Sequence, residues 1–223
     1  MTNYEAGTRI PLLIRAPWVK GSAGRVAWSL AEAVDIAPTL WDLAGVGLPD
    51  PTTPGGAHLG GVSLRPAMAT GAEVKTVALS QFPRCWQNNT NHEPVRPGYG
   101  PGDEHNLTVS WMSMSDCHWM RREDLDYMGY SLRTDSPFPL RFVLWLKWHP
   151  TQAHPTGEPD WNTVVGTELY NHSASDLAGK QGAPIIDYLD STENENLAAN
   201  DDHASLITEL TKTLRRTVEK WLV

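Results

Sequence analysis

The C-terminal end of the chain carries the clearest structural signal in the sequence, an apolar stripe at helical spacing. Its large apolar residues recur every three or four positions: Ile207, Leu210, Leu214, Val218 and Trp221. Because an α-helix turns once in about 3.6 residues, this spacing places them on one face. Asp201 or Asp202 can cap the first turn. The sequence therefore predicts an amphipathic helix that must bury its stripe against another layer.

The N-terminal part predicts a strand followed by a helix. Residues 9–15, RIPLLIR, form a short apolar run that is typical of a buried strand. Residues 35–45, DIAPTLWDLAG, change to helical spacing, with Asp35 as the expected N-cap and Gly45 at the C′ position. We expect this helix to pack on the strand at residues 9–15.

The remainder of the chain predicts a small antiparallel sheet. Strands are expected at Val77–Phe82, Met128–Thr134 and Arg141–Trp148, the last two joined by a wide turn, and a short one at Glu168–His172. Residues 83–127 have no regular period. The fold class is therefore α/β, with a strand and a helix first and then a small sheet closed by the terminal helix.

Charge and hydropathy exclude some classes of partner. The formal net charge is −8 and the pI is about 5.4, which argues against a nucleic-acid or anionic-membrane partner, although a local basic patch stays possible. No apolar run approaches the roughly 18 to 20 residues that a membrane-spanning helix needs. We therefore expect no membrane span.

Three runs of the first 68 residues resemble the sulfatase family. Residues 2–17, TNYEAGTRIPLLIRAP, are similar to the segment that follows the active-site lysine motif of that family. Residues 34–49, VDIAPTLWDLAGVGLP, and residues 61–68, GVSLRPAM, resemble the family run xDIxPTxxxLAGxxxP followed by GxSLxPxL. The order and spacing of these runs are specific.

Later runs point to the iduronate 2-sulfatase branch. ALSQFPR at 78–84 and MGYSLRT at 128–134 are close to that branch, while GTELYNH at 166–172 and DSTENENLA at 190–198 resemble the closing motif of the family. The resemblance implies the edge of an alkaline-phosphatase-like α/β sandwich, followed by a small C-terminal α+β subdomain with an antiparallel sheet and a terminal helix.

The resemblance also implies domain boundaries. Residues 1–90 correspond to the C-terminal end of the large sulfatase α/β domain, residues 91–127 to an irregular connecting segment, and residues 128–223 to the C-terminal sulfatase subdomain. On this reading the chain matches only the second half of a family member.

Sulfatases hydrolyse sulfate esters of sulfated carbohydrate, such as glycosaminoglycans, with calcium and a formylglycine made from the Cys of a C-x-P-x-R motif. Neither Cys85, followed by Trp-Gln-Asn-Asn, nor Cys117, followed by His-Trp-Met-Arg, fits that motif. The resemblance places the calcium ligands, and the His and Lys that contact the sulfate, upstream of Met1. We therefore assign no catalytic or metal residue and no cofactor to the chain, and expect a missing N-terminal sulfatase domain as its partner.

Arg84, in QFPR, and Arg133, in GYSLRT, are the candidate substrate-binding residues, since the resemblance places the C-terminal subdomain at the pocket mouth. Guanidinium groups pair in a bidentate manner with carboxylates and similar oxyanions. The alternative is that each makes a structural ion pair between subdomains.

The histidines and acidic residues predict no metal site. Prolines interrupt the spacing of His149 and His154, and neither these nor the pair Asp116 and His118 has a third ligand at a recognised spacing. Glu168 and the acidic run at 187–195 lack calcium-loop spacing, which favours a solvated turn.

Cys85 and Cys117 span the irregular segment. A disulfide between them would close a long loop and stabilise the fold by roughly 3 to 4 kcal/mol. In an exported sulfatase this pairing is plausible, whereas in a cytosolic protein both would be buried thiols. The sequence alone leaves both a disulfide and two free thiols open.

Three functions compete. The first is a catalytically incomplete piece of an exported sulfatase, periplasmic, extracellular or lysosome-like. The second is a non-catalytic carbohydrate-binding or regulatory module derived from a sulfatase. The third, a phosphodiesterase or phosphonate hydrolase of the same superfamily, is disfavoured by the QFPR and MGYSLRT runs.

Overall fold

The computed structural model describes residues 3–47, 60–84, 125–155, 157–182 and 193–221. The helices are α1 (Glu5–Thr8), α2 (Ile36–Leu43), α3 (Arg65–Thr70), α4 (Ser173–Lys180) and α5 (Ala204–Trp221). The strands are β1 (Val77–Arg84), β2 (Tyr127–Thr134), β3 (Leu140–His149) and β4 (Glu158–Asn171). These strands form one antiparallel sheet in the order β1-β2-β3-β4. The mixed α/β class, the antiparallel sheet and the terminal helix are confirmed.

Strands β2 and β3 form the predicted hairpin with a wide turn. The Trp148 amide donates to the Asp126 carbonyl at 2.8 Å, and this hydrogen bond joins the two chain segments at the end of the hairpin away from its turn. At the turn, the Thr134 hydroxyl donates to the Phe138 carbonyl at 2.7 Å and accepts from the Leu140 amide at 3.1 Å. One side chain thus satisfies two main-chain groups that the turn would otherwise leave unpaired.

Strand β4 is longer than its sequence predicts. Only its end, from Glu168, was expected, whereas the strand begins at Glu158. Pro159, Asp160 and Gly166 are poor strand formers and mask the preceding part of the pattern. After the strand ends, the His172 amide donates to the Pro139 carbonyl at 2.7 Å, as antiparallel pairing with β3 requires.

Contacts between Cα atoms divide the chain into two compact units. One comprises Met1–Thr8, Ser80–Ser131 and Phe142–Glu168, and the other Arg9–Leu79, Leu132–Arg141 and Leu169–Val223. The buried apolar residues of the first include Met128, Tyr130, Phe142, Val143, Leu144 and Leu146. Those of the second include Ala16, Val19, Leu64, Leu132, Leu140, Leu169, Leu210, Leu214 and Val218. Each unit therefore has a core of its own.

The terminal helix α5 has the predicted apolar face. Leu210, Leu214 and Val218 are buried on it, as their spacing requires. The predicted caps are wrong, because a 3₁₀ turn at Asp201–His203 precedes the helix and the cap of that turn is Asn200. The Asn200 side chain accepts from the Asp202 amide at 3.0 Å.

Helix α2 is confirmed, whereas its predicted partner strand is wrong. A 3₁₀ turn at Ala33–Asp35 leads into the helix, and Gly45 follows it with φ +68°, as expected for a C′ glycine. Residues 9–16 form neither a strand nor a helix. An apolar run forms a strand only where another strand pairs with it, and within the described ranges none pairs with residues 9–16.

Within the described ranges, no helix combines the length and the apolar character that crossing a bilayer demands.

Candidate functional site

Asp35, the first residue of the sulfatase-like run D-I-A-P-T, is completely buried and binds three groups. Its carboxylate accepts from the Glu32 amide at 2.8 Å, from the Val62 amide at 2.9 Å and from the Lys75 ammonium at 2.7 Å. A buried carboxylate is costly unless it is paired and hydrogen-bonded, and here both conditions are met. Asp35 stands at the N-cap position of α2, but its side chain makes no capping hydrogen bond to that helix, so the predicted cap is wrong. Its carboxylate instead joins the preceding 3₁₀ turn to residues 62 and 75.

Lys75 lies between two carboxylates. Its Nζ is 2.6 Å from Glu32 Oε2 and 2.7 Å from Asp35 Oδ1, and its side chain is only 12% exposed. The second oxygen of Glu32 accepts from the Leu79 amide at 2.7 Å. This triad ties the segment before α2 to the segment that enters β1.

Thr39 and Asp42 extend the same network along α2. The Thr39 hydroxyl donates to the Asp35 carbonyl at 2.6 Å and accepts from the Leu64 amide at 2.9 Å. Asp42 accepts from the Ser63 hydroxyl at 2.6 Å and from Arg65 at 2.8 Å. These two hydrogen bonds hold the pKa of Asp42 below its usual value.

Gly61 explains why the second sulfatase-like run begins with glycine. A Cβ atom at Gly61 would overlap the carbonyl oxygen of Val34. We call the residues joined here the polar clamp: Glu32, Asp35, Thr39, Asp42, Gly61, Val62, Ser63, Leu64, Arg65 and Lys75. Three positions of the sulfatase-like motif, Asp35, Thr39 and Ser63, thus carry side chains that hold residues 34–49 and 61–68 together.

Arg133, a candidate substrate-binding residue, is engaged within the protein. Its guanidinium donates to Asp176 Oδ2 at 2.7 Å and to the Thr134 carbonyl, and its side chain is 12% exposed. Asp176 Oδ1 also lies 3.6 Å from Arg9. The Arg133–Asp176 ion pair lies within residues 128–223, so it is not the pair between subdomains that the sequence left as an alternative. Substrate contact by Arg133 stays a prediction.

Arg84, the other candidate, is the last residue of β1, and its side chain lies outside the described residues, as do Cys85, Cys117, Asp116 and His118. The proposed disulfide therefore stays a prediction.

Glu193 corrects the interpretation of residues 187–195 as a solvated turn. Its side chain is 7% exposed, and its Oε1 accepts from Arg141 Nε and lies 3.0 Å from His172 Nε2. The Arg141 guanidinium also lies over the Tyr170 ring, 5.1 Å from its centroid. Glu193 does lie in a turn, but its side chain is buried and not solvated, which the sequence did not reveal because its charged partners are distant in the chain.

Glu168, the other acidic residue considered for a calcium loop, binds a tryptophan. Trp145 Nε1 donates to Glu168 Oε1 at 2.7 Å. The indole of Trp145 lies across glycines of both neighbouring strands, and a Cβ at Gly129 would stand 2.5 Å from its Cζ3. The carboxylate thus orients a ring that covers the sheet.

Tyr130 is a largely buried phenol with a raised pKa. Burial raises the pKa of Tyr130 to about 12, and its ring stacks on Trp161 with centroids 6.1 Å apart. Its phenol therefore stays protonated near neutral pH. Exposed Asp160 has a pKa held below the usual value by hydrogen bonds from Thr163 and the Asn162 amide.

The polar groups described above hold chain segments together. Sequence reasoning missed Lys75, Asp176 and Glu193, because their partners lie 21 to 52 residues away and no local pattern marks them. The motif Asp35-x-x-x-Thr39 was recognised, but its contacts to residues 62 and 64 were not.

Comparison with known proteins gives a partial match. No protein-family model matches the chain. The chain is similar to arylsulfatase K of Bos taurus, 26% identical over 131 residues, which cover 59% of this chain and 19% of that protein. It is also similar to arylsulfatase K of Homo sapiens, 39% identical over 66 residues, which cover 30% of this chain and 11% of that protein.

The matched segments thus span at most about a fifth of the relatives' own length. The chain is therefore distantly related, over part of its length, to the sulfatases.

Proposed function

We propose that the chain is the C-terminal portion of a sulfatase, a sulfuric ester hydrolase of the iduronate 2-sulfatase type that acts on sulfated carbohydrate. The observation that carries the proposal is the polar clamp, because the side chains of Asp35, Thr39 and Ser63 in it stand at positions by which residues 34–49 and 61–68 resemble the family. The partial similarity to arylsulfatase K also supports a relationship to the sulfatases.

In this proposal, residues 1–90 belong to the edge of an alkaline-phosphatase-like sandwich, and residues 128–223 form the C-terminal subdomain. Residues 91–127 form the irregular segment that connects the two. The antiparallel sheet with its terminal helix supports the last of these three parts. The parent enzyme would be exported.

The chain alone is proposed to be inactive. Sulfate ester cleavage needs an activated nucleophile, a divalent cation and a proton donor for the leaving alcohol. Neither cysteine of the 223 residues stands in a C-x-P-x-R motif. A separate catalytic domain would supply the formylglycine and the calcium ligands.

Two experiments test the proposal. The purified chain is expected to release no sulfate from an aryl sulfate or sulfated disaccharides, with or without calcium, while an active sulfatase does so in the same assay. Turnover abolished by a single substitution in this chain would overturn the inactivity. DNA directly upstream of Met1 should encode an in-frame C-x-P-x-R; stop codons with a ribosome-binding signal there would favour a free carbohydrate-binding module instead.

Substrate contact by Arg84 and Arg133 is tested by calorimetric titration with a sulfated disaccharide. We expect Arg84→Ala to weaken binding about tenfold with an unchanged unfolding midpoint. Arg133→Ala should weaken binding and also lower the midpoint, since it removes the guanidinium that lies 2.7 Å from Asp176 Oδ2. Lys212→Ala, on the exposed face of α5, serves as control. A stability loss without any change in binding would leave Arg133 a structural residue only.

A further inference from the structure

Trp145 of β3 lies where both neighbouring strands carry glycine. The bond from the Trp148 amide to the Asp126 carbonyl places Gly129 of β2 opposite Trp145, and a Cβ there would stand 2.5 Å from its Cζ3. On β4, a Cβ at Gly166 would stand 3.2 Å from its Cδ1. Glycine inside a strand often marks a close approach of another group. Both neighbouring strands therefore leave room for one indole.

The indole is held in one orientation and keeps part of its surface in water. Trp145 Nε1 donates to Glu168 Oε1 at 2.7 Å, and both side chains are partly exposed. The Asn3 side chain donates to the Gly129 carbonyl at 3.0 Å and bounds the ring on the side of β2. A ring that is already fixed loses little conformational entropy when a ligand stacks on it. The geometry therefore suits binding as well as packing.

A cation and a phenol lie beside the indole on the same face of the sheet. Side chains alternate along a strand, so Lys147, two residues after Trp145, leaves the same face, and Tyr127 of β2 lies opposite Lys147. Lys147 is exposed and Tyr127 is partly exposed. Within the described ranges, Lys147 makes no ion pair. We call Tyr127, Trp145, Lys147 and Glu168 the aromatic platform.

The chemistry of the aromatic platform narrows the class of ligand. The face of an indole is the negative side of its quadrupole, so it attracts C–H groups and cations. The Lys147 ammonium repels a cationic ligand and attracts an anionic one. Nucleic acid fits poorly, because its binding depends on many Lys and Arg contacts and the net charge of the chain is −8. A sugar ring fits, since it has C–H groups on its faces and hydroxyl donors at its edge, which a carboxylate such as Glu168 can accept.

We propose that the aromatic platform binds a pyranose ring that carries an anionic substituent. The C–H face of the sugar stacks on Trp145, a hydroxyl donates to Glu168, and the carboxylate or sulfate of the sugar pairs with Lys147. The site goes beyond the proposed function, because it needs neither formylglycine nor metal and uses residues other than Arg84 and Arg133.

Calorimetric titration of the full chain with three tetrasaccharides tests the ligand. Tetragalacturonate carries carboxylates, neocarratetraose sulfate carries sulfates, and cellotetraose is neutral. We expect an anionic probe to bind about two- to fivefold more tightly than cellotetraose, as one exposed ion pair allows, with the difference lost at high salt. The tighter of the two anionic probes identifies the substituent. Equal binding of all three would overturn the role of Lys147, and binding of none would overturn the site.

Two variants and two matched controls test the residues. Trp145→Ala should weaken binding at least about tenfold, and Lys147→Gln about two- to fivefold for the anionic probes only. The controls are Trp18→Ala, at an indole that is 67% exposed, and Lys212→Gln on α5, and both should bind unchanged. Thermal unfolding shows whether Trp145→Ala remains folded. Lys147→Gln changes an exposed side chain and tests the site without that concern.

Proton NMR of the bound sugar gives a readout that a purely structural tryptophan would not move. The ring current of the indole should shift the sugar C–H resonances upfield in the natural chain and not in Trp145→Ala. Unshifted resonances would overturn the stacking. Binding that is lost in Arg84→Ala or Arg133→Ala but kept in Trp145→Ala would overturn the aromatic platform and support the proposed function. Adenosine monophosphate binding more tightly than every sugar would show that the class of ligand is wrong.

Discussion

The β2–β3 hairpin and residues 9–47 are organised in opposite ways. The hairpin buries apolar side chains completely, among them Leu132, Phe142 and Leu146. Residues 9–47 bury the polar Asp35 and Thr39 and expose Leu13 and Leu40, the latter 60% exposed. The first region is held by apolar burial, which is strong and non-directional, and the second by directional hydrogen bonds and ion pairs. We therefore expect apolar truncation to weaken the first region most, and loss of a polar partner to weaken the second.

The largest expected difference between the regions concerns apolar truncation. Phe142→Ala should lower the free energy of unfolding by about 3 to 5 kcal/mol, because it opens a cavity at a fully buried position of β3. Leu13→Ala, at a position 89% exposed, should change it by less than about 0.5 kcal/mol. Urea denaturation followed by tryptophan fluorescence measures both. Similar losses for the two variants would mean that Leu13 belongs to a core.

A second prediction addresses the polar clamp. Asp35→Ala should cost about 3 kcal/mol, since it leaves the Lys75 ammonium beside one carboxylate only and removes the acceptor of the Val62 amide. Hydrogen exchange should show the loss as faster exchange at residues 60–66. Asp202→Ala, whose carboxylate is on the exposed side of a turn, is the control. Unchanged exchange at residues 60–66 would mean that polar contacts do not hold residues 9–47 to this segment.

Thr39 offers a smaller test. Thr39→Val should destabilise by about 1 to 3 kcal/mol, because the Leu64 amide loses its buried acceptor. Thr217→Val on α5 is the matched control, since the Thr217 hydroxyl makes the same bond to a carbonyl four residues earlier. We expect the control to change stability much less. If both variants behave alike, the contact to Leu64 contributes little.

The smallest expected effect is the pH dependence from Asp42. Its pKa is lowered in the folded protein, so its contribution is present above the unfolded pKa, about 3.9, and is lost as pH falls through the folded value. Urea titrations at pH 7 and at pH 3 should therefore show the wild type more stable than Asp42→Asn at pH 7, with a smaller difference at pH 3. A difference that does not shrink contradicts the role of the hydrogen bonds from Ser63 and Arg65.

The comparison also explains what the sequence could predict. Helices α2 and α5 were found because periodic apolar residues are a local signal. The strand at residues 9–15 was wrong because an apolar run does not reveal whether a neighbouring strand exists. The cap predicted at Asp35 was wrong, and its role as a tertiary acceptor was missed, since Val62 lies 27 residues away. Arg133 was singled out as a candidate substrate contact, which stays a prediction, whereas its partner Asp176 carried no pattern.

The Glu193 contacts bear on how much this chain can vary. The main chain leaves the hydrogen-bonded end of β4 at His172 and comes back at Glu193, whose carboxylate meets both Arg141 and His172. The Asn196 side chain then accepts from the Leu169 amide at 3.0 Å. The two flanks of this stretch, at His172 and at Glu193, are thus fastened to the same place. Added length between residues 182 and 193, beyond α4 and its Asp176, should therefore cost only about 0.6 kcal/mol of closure entropy for each doubling of the closed length.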